Sequence, residues 1–189
     1  ALLNNGMAID EMGPASSQME EAVMRELAKF MGLGAESGGI LCHGGTLANL
    51  TALLAASQRK ATGNAWGDGT ERKCAVLVSE QAHYCVDRAV RVMGWGAAGT
   101  VKVGTLGNHQ IDPRALQMAY EQSVDAGMEV IAVVGNACTT STGTFDDLEV
   151  LAAFAAEKDL WFHVDGAHGA AQVFSERNKA PLKGIEKAD

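Results

Sequence analysis

The sequence predicts an α/β fold, a three-layer αβα sandwich built on a mostly parallel sheet. Three observations predict it. Uninterrupted apolar runs recur at residues 74–78, 130–134 and 160–164, as strands covered on both faces require. Between them apolar residues return at helical spacing, as Val86, Val90 and Met93, as Leu116, Ala119 and Tyr120, and as Leu148, Leu151 and Ala155. No repeat, low-complexity tract or linker divides the alternation, so one sheet with helices on both faces is the expected arrangement.

The elements follow in order. Ser17 with Glu20 forms a capping-box pattern ahead of Met19, Val23, Leu27 and Phe30, and Gly32 and Gly34 end that run, which predicts an amphipathic helix. The short apolar stretch 39–42 predicts a strand, and Gly44-Gly45-Thr46 then opens a second helix expected to bury Leu47, Leu50 and Leu54. Residues 63–69 read as a polar loop, and 101–104 as a further short strand. Asp112-Pro113 starts the helix carrying Leu116, and Thr144 precedes the helix carrying Leu148.

Composition narrows the function classes. The chain of 189 residues is 47% hydrophobic, enough for one sizeable core. A formal net charge of −8 without a basic stripe argues against nucleic acid as a partner. The four cysteines, Cys42, Cys74, Cys85 and Cys138, form no CxxC pair, which favours reduced thiols and a cytoplasmic protein over a disulfide scaffold or zinc knuckle. No apolar run reaches membrane-spanning length and no leader pattern opens the chain, so no membrane association is expected. The start at Ala1 and the finish at Lys187-Ala188-Asp189 both read as cut ends of a longer protein.

In a parallel sheet ligands bind beyond the carboxyl ends of the strands, and four places there carry chemistry. Gly44-Gly45-Thr46 leads from a strand into a helix, where free N–H groups and the helix dipole favour an anion such as phosphate; a glycine pair is also a tight turn. His83 follows a strand, where its ring can lie over a flat cofactor or cap the next helix. Thr139 and Thr140 can donate to a cofactor oxygen or simply build a turn. Asp165 closes an apolar strand, and a carboxylate there needs a cationic partner: a protonated pyridine nitrogen, or a local lysine or arginine.

These segments, in this order, resemble the group II pyridoxal-phosphate-dependent amino-acid decarboxylases, which have the aspartate-aminotransferase fold (fold type I). The resemblance spans nearly the whole chain. Glu11 to Glu20 is similar to the family's Pro-x-x-Thr-x-Met/Leu-Glu helix entry, with Ser17 in place of threonine. Gly44-Gly45-Thr46-Leu47-Ala48-Asn49-Leu50 resembles the phosphate-binding segment, which implies that Gly45 and Thr46 touch the cofactor phosphate. Ser79-Glu80-Gln81-Ala82-His83-Tyr84 is similar to Ser-x-x-Ala-His-Tyr, implying that His83 stacks on the pyridine ring. Cys138-Thr139-Thr140 resembles Gly-Thr-Thr and implies that Thr140 lies near the ring substituents. The most specific match is Trp161-Phe162-His163-Val164-Asp165-Gly166-Ala167-His168-Gly169, which implies Asp165 as partner of the pyridinium nitrogen and Ala167 beneath the ring.

What the resemblance implies is a carboxy-lyase that decarboxylates an L-amino acid with pyridoxal 5′-phosphate as cofactor, with His83 and Asp165 as catalytic residues, in a cytoplasmic homodimer. Residues 1–189 would be part of the cofactor-binding large domain, without the N-terminal segment, the small domain and the lysine that holds the cofactor covalently. The family carries that lysine in an Asp-x-His-Lys segment, expected within about ten residues after Asp189, and the piece alone is expected to be inactive. His43 and Cys138 depart from the family's serine and glycine. The substrate stays open among glutamate, aspartate or cysteine sulfinate, 2,4-diaminobutyrate and aromatic amino acids. Three other readings remain: another enzyme of the same fold (aminotransferase, desulfurase or aldolase), a cofactor-binding module that has lost its lysine, and a metal-dependent hydrolase using His163, Asp165 and His168.

Overall fold

The computed structural model describes residues 10–189; the start at Ala1 lies outside them. The chain divides into two compact units, one ending at Cys42 and one running from His43 to Asp189.

The first unit holds helix α1, Pro14–Met31. The helix begins three residues before the capping box expected at Ser17. Gly13 is its N-cap, Pro14 occupies the first turn, and the Ser17 N–H already donates to Gly13 O at 2.9 Å. Proline wins because its fixed φ suits the first helical position and its missing N–H would have been unpaired there anyway. Gly32 ends the helix at φ 73°, with Gly32 N donating to Lys29 O and Leu33 N to Ala28 O, the paired bonds of a Schellman cap. The strand expected at 39–42 does not form. There the Leu41 N–H donates to Glu20 Oε1 at 2.6 Å, so a side chain satisfies a donor that a neighbouring strand would otherwise take.

The second unit is the sandwich. Its strands are β1 (Cys74–Ser79), β2 (Thr100–Val103), β3 (Glu129–Asn136) and β4 (Trp161–Asp165), all parallel in the order β2-β1-β3-β4. Its helices are α2 (Gly45–Lys60), α3 (Cys85–Val92), α4 (Pro113–Asp125) and α5 (Leu148–Lys158). Leu53 and Ala56 of α2 and Val86, Ala89 and Val90 of α3 pack with Val76, Val78 and Val134 on one sheet face. The next residue along β3, Gly135, points the other way: a Cβ there would stand 2.9 Å from Leu148 and 3.0 Å from Leu151 of α5. Helix α4 joins α5 on that side, Tyr120 meeting Phe154 edge to face at 5.8 Å. The three layers expected from the sequence are therefore present.

Helix α2 turns a different face inward from the one expected. It buries Asn49, Leu53, Ala56 and Ser57, while Leu47 is 43% exposed and Leu50 and Leu54 are half-buried. The small Ala56 and Ser57 let the helix sit close to the sheet, and the polar Asn49 can go inside because its amide is hydrogen-bonded there. Asp112 and Asp147 cap α4 and α5, accepting from Arg114 N and Val150 N, so the α5 cap lies three residues after Thr144.

The strand order positions the site. From β1 the chain crosses to β2 on one side, returns past β1 to β3, and continues to β4 on the other. Connections leave β1 and β3 in opposite directions, which opens a crevice at the carboxyl ends of these two adjacent strands.

Candidate active site

A cavity of about 230 Å³ is lined by residues that follow β1, β3 and β4 and by the first turn of α2. Gly45, Thr46, His83, Thr140, Asp165 and Ala167, the six residues singled out in the sequence, all line it. Asn49, Cys85, Asn136, Cys138, Thr139 and His168 line it as well.

Gly44 starts the α2 turn at φ 84°, a backbone region that favours glycine. Ala48 N is the first to bond back, to Gly44 O at 3.2 Å, so the N–H groups of Gly45, Thr46 and Leu47 have no partner within the helix. Gly45 also admits a close neighbour: a Cβ there would lie 2.7 Å from the Cβ of Ala167. The turn thus offers unpaired donors and the positive end of a helix dipole to the cavity.

Of the two readings of His83, the structure shows the helix cap. Its Nδ1 accepts the Cys85 N–H at 3.2 Å, capping α3, and the ring still borders the cavity. With Nδ1 engaged as an acceptor, a neutral ring carries its proton on Nε2. Tyr84 lies beside the ring at 4.2 Å between centroids and is itself covered by the Arg88 guanidinium at 4.8 Å.

The two threonines separate. Thr139 is buried, and its hydroxyl bonds Thr142 Oγ1 at 2.6 Å and accepts from Thr144 N at 3.1 Å, so it holds the turn. Thr140 is exposed to the cavity. Ahead of them Cys138 adopts φ 73°. Beneath, the buried Asp146 carboxylate accepts from Ile111 N, Asn136 N and Asn136 Nδ2, each at 2.8 Å. Burial raises its pKa, and these same bonds pull partly the other way.

Asp165 ends β4, where its Oδ1 accepts from Ala167 N at 3.1 Å. Among the described residues no ion pair includes it. A carboxylate without a local cation in a lined cavity suits a cationic group on a ligand. Burial, and then the charge of Asp165, push the neighbouring Cys85 thiol up from its ordinary value.

His163, two residues earlier on β4, is committed elsewhere. Its Nε2 meets Asn49 Oδ1 at 2.6 Å. Part of its surface is accessible, yet the ring lies deep, and desolvation pushes its pKa down to about 4 against the opposing pull of Asp165. Among the described residues no three histidine, cysteine or carboxylate groups gather as a metal site. His163, Asp165 and His168 of the hydrolase reading do not gather as such a site, and His163 Nε2 is already bonded to Asn49 Oδ1.

The sequence reading passed over Asn49, Cys85, Asn136 and Asp146. For Asn49 a signal existed: it stands one helical turn after Gly45, at i+4 on the same face. For Asn136 and Asp146 the bonds that define them join segments that only folding brings together.

The cavity lining combines unpaired N–H donors at the α2 turn, suited to an anion, with the carboxylate of Asp165, suited to a cation. A family model described as "Pyridoxal-dependent decarboxylase conserved domain" matches residues 2–189. The chain is 33% identical to a glutamate decarboxylase-like protein of Gibberella zeae over all of its own length and 36% of that protein. It is 32% identical to an aromatic-L-amino-acid decarboxylase of Bacillus atrophaeus, covering 94% of this chain and 36% of that one. Among solved structures, the glutamate decarboxylase domain of a Vibrio parahaemolyticus protein described as diaminobutyrate-pyruvate transaminase and L-2,4-diaminobutyrate decarboxylase superposes with a TM-score of 0.91. It is 29% identical, over 98% of this chain and 41% of that one. The chain thus spans about 36% of the length of these two curated relatives.

Proposed function

Because this chain belongs to the pyridoxal-dependent decarboxylase family, we propose that the full-length protein removes the α-carboxyl group of an L-amino acid as carbon dioxide, with pyridoxal 5′-phosphate held in the crevice at the β1 and β3 ends. The observation that carries this reading is the single cavity shared by the α2 turn, His83, Thr140, Asp165 and Ala167. The cofactor, when bound, supplies an electron sink for the carbon that loses carboxylate.

The chain's own residues do the positioning. Gly45 and Thr46 bind the phosphate through the unpaired N–H groups of the turn and the threonine hydroxyl. His83 packs against one face of the ring, with its Nδ1 bond to Cys85 N fixing its orientation. Ala167 lies beneath the other face, and Thr140 serves the ring substituents. Asp165 holds a proton on the ring nitrogen, a charge pair that strengthens as the cavity excludes water.

On this reading residues 1–189 are part of the cofactor-binding large domain, and the covalent lysine comes from sequence outside them. A homodimer is part of the proposal: Leu47 on α2, Tyr84 in the turn before α3 and Val92 at the end of α3 are exposed apolar side chains, and a second copy would cover them. The protein is proposed to be cytoplasmic; no described helix is long and apolar enough to cross a membrane.

The test uses the full-length protein freed of cofactor and titrated with pyridoxal 5′-phosphate, followed by carbon dioxide release from a panel of acidic, diamino and aromatic L-amino acids. Binding in the visible spectrum with decarboxylation of at least one member is expected. An Asp165→Ala protein that decarboxylates at the native rate would overturn the assignment.

A further inference from the structure

Asn49 lies under the cavity with its amide fully engaged. Its Nδ2 donates to Gly45 O at 2.9 Å and to Cys85 Sγ at 3.4 Å, and its Oδ1 meets His163 Nε2 at 2.6 Å. The orientation is forced, because a carbonyl only accepts: the amide nitrogen must face Gly45, which leaves the oxygen for His163. The histidine must then donate, so its proton sits on Nε2. Its low proton affinity agrees, since the neutral ring is the form that burial favours.

One side chain therefore joins three elements: the first turn of α2 through Gly45, the first residue of α3 through Cys85, and β4 through His163. The β4 end of this bridge lies two residues before Asp165, on the same strand face. At about 3.3 Å per residue, Asp165 stands about 7 Å further along the strand. Gly45 and Asp165 are the residues proposed above for the two ends of the cofactor.

We infer that Asn49 and His163 are positioning residues, whose hydrogen bond sets the span between the phosphate-binding turn of α2 and the carboxylate of Asp165. The inference rests on the cofactor reading above. A ligand that engages both ends depends on this span, whereas a ligand that engages one end does not. Loss of the bridge lowers affinity for pyridoxal 5′-phosphate and leaves affinity for inorganic phosphate nearly unchanged.

The test titrates full-length, cofactor-free protein with pyridoxal 5′-phosphate by absorbance, and with inorganic phosphate by competition. Asn49→Ala is expected to weaken cofactor binding about tenfold, the worth of one or two buried hydrogen bonds, with phosphate affinity changed less than about twofold. Two gentler variants keep a polar side chain in the strand. His163→Gln places an N–H near the position of Nε2 and is expected to retain most of the affinity; His163→Asn falls short of Asn49 and is expected to lose as much as Asn49→Ala. The double variant Asn49→Ala with His163→Asn should be no weaker than either single one.

Cofactor affinity at the wild-type level in folded His163→Asn protein would overturn the inference, as would equal losses for cofactor and phosphate. Failure of the cofactor reading looks different: the wild-type protein itself would then bind no pyridoxal 5′-phosphate, or bind it equally well with Asp165→Ala.

Discussion

Gly45 and Ala167 approach so closely that a Cβ on residue 45 would stand 2.7 Å from the Cβ of Ala167. Carbon atoms in contact prefer about 3.5 to 4.0 Å, so any side chain here forces the α2 turn away from the segment after β4. Gly45→Ala in the full-length protein is expected to cost about 1 to 3 kcal/mol of stability through overpacking and to weaken cofactor binding at least about tenfold. Urea unfolding and absorbance titration measure the two separately. Native cofactor affinity in the variant would show that the turn is not the phosphate site.

Cys138 sits at φ 73°. A left-handed backbone costs a residue with a Cβ roughly 1 kcal/mol or more, while glycine pays about 0.4 to 1 kcal/mol in unfolded-state entropy. Cys138→Gly is accordingly expected to be neutral to slightly stabilising, raising Tm by up to a few degrees, whereas Cys138→Val should lower it. Thermal unfolding of both cofactor-free proteins checks the order, and Cys138→Val melting above Cys138→Gly would remove the strain argument.

Asp146 holds three donors from two segments, Ile111 N and the backbone and side chain of Asn136. Asp146→Ala leaves all three without their acceptor inside the fold, and about 3 kcal/mol or more of stability should be lost. Asp146→Asn keeps an acceptor and should cost less. Chemical denaturation ranks them; equal midpoints for alanine and wild type would contradict the role assigned to this carboxylate.

Below neutral pH the buried His163 should weaken the fold. Its folded pKa is about 4 against an ordinary 6.5, so between these values the unfolded chain binds a proton that the folded chain refuses. Stability is then complete above about pH 6.5 and falls as the pH drops toward 4, by at most about 3 kcal/mol across the window. Asp146 works in the opposite sense: its raised pKa lets the folded state bind the extra proton above the ordinary 3.8. The His163 contribution is therefore read as the difference between wild type and His163→Gln, unfolded in urea at pH 7 and pH 5. Identical pH dependence in the two proteins would refute it.

Much of the fold was legible because its causes are local. The run at 74–78 became β1 and the run at 130–134 became the centre of β3, since valine-rich stretches without a polar break suit only a strand covered on both sides. Asp112 with Pro113 started α4 where their cap chemistry said it would. Local signals misled where two of them competed, as with Pro14 against Ser17 at the start of α1. They misled again where a tertiary partner took a backbone group, as Glu20 took the Leu41 N–H. The inward face of α2 was missed because leucines outrank asparagine in any hydrophobic pattern, although Asn49 is the buried residue.

By itself the sequence determined the order of the four strands and five α-helices, though not the absence of the strand expected at 39–42, together with the four segments that line the cavity and the family they resemble, because each is written within a few adjacent residues. Only the tertiary structure decided that β1 lies between β2 and β3, which makes the crevice, and that Asn49 meets His163 across 114 positions of chain. The physical reason is that a hydrogen bond is directional and short-ranged. Which two distant groups satisfy one another depends on where folding has carried them, and no local pattern records that.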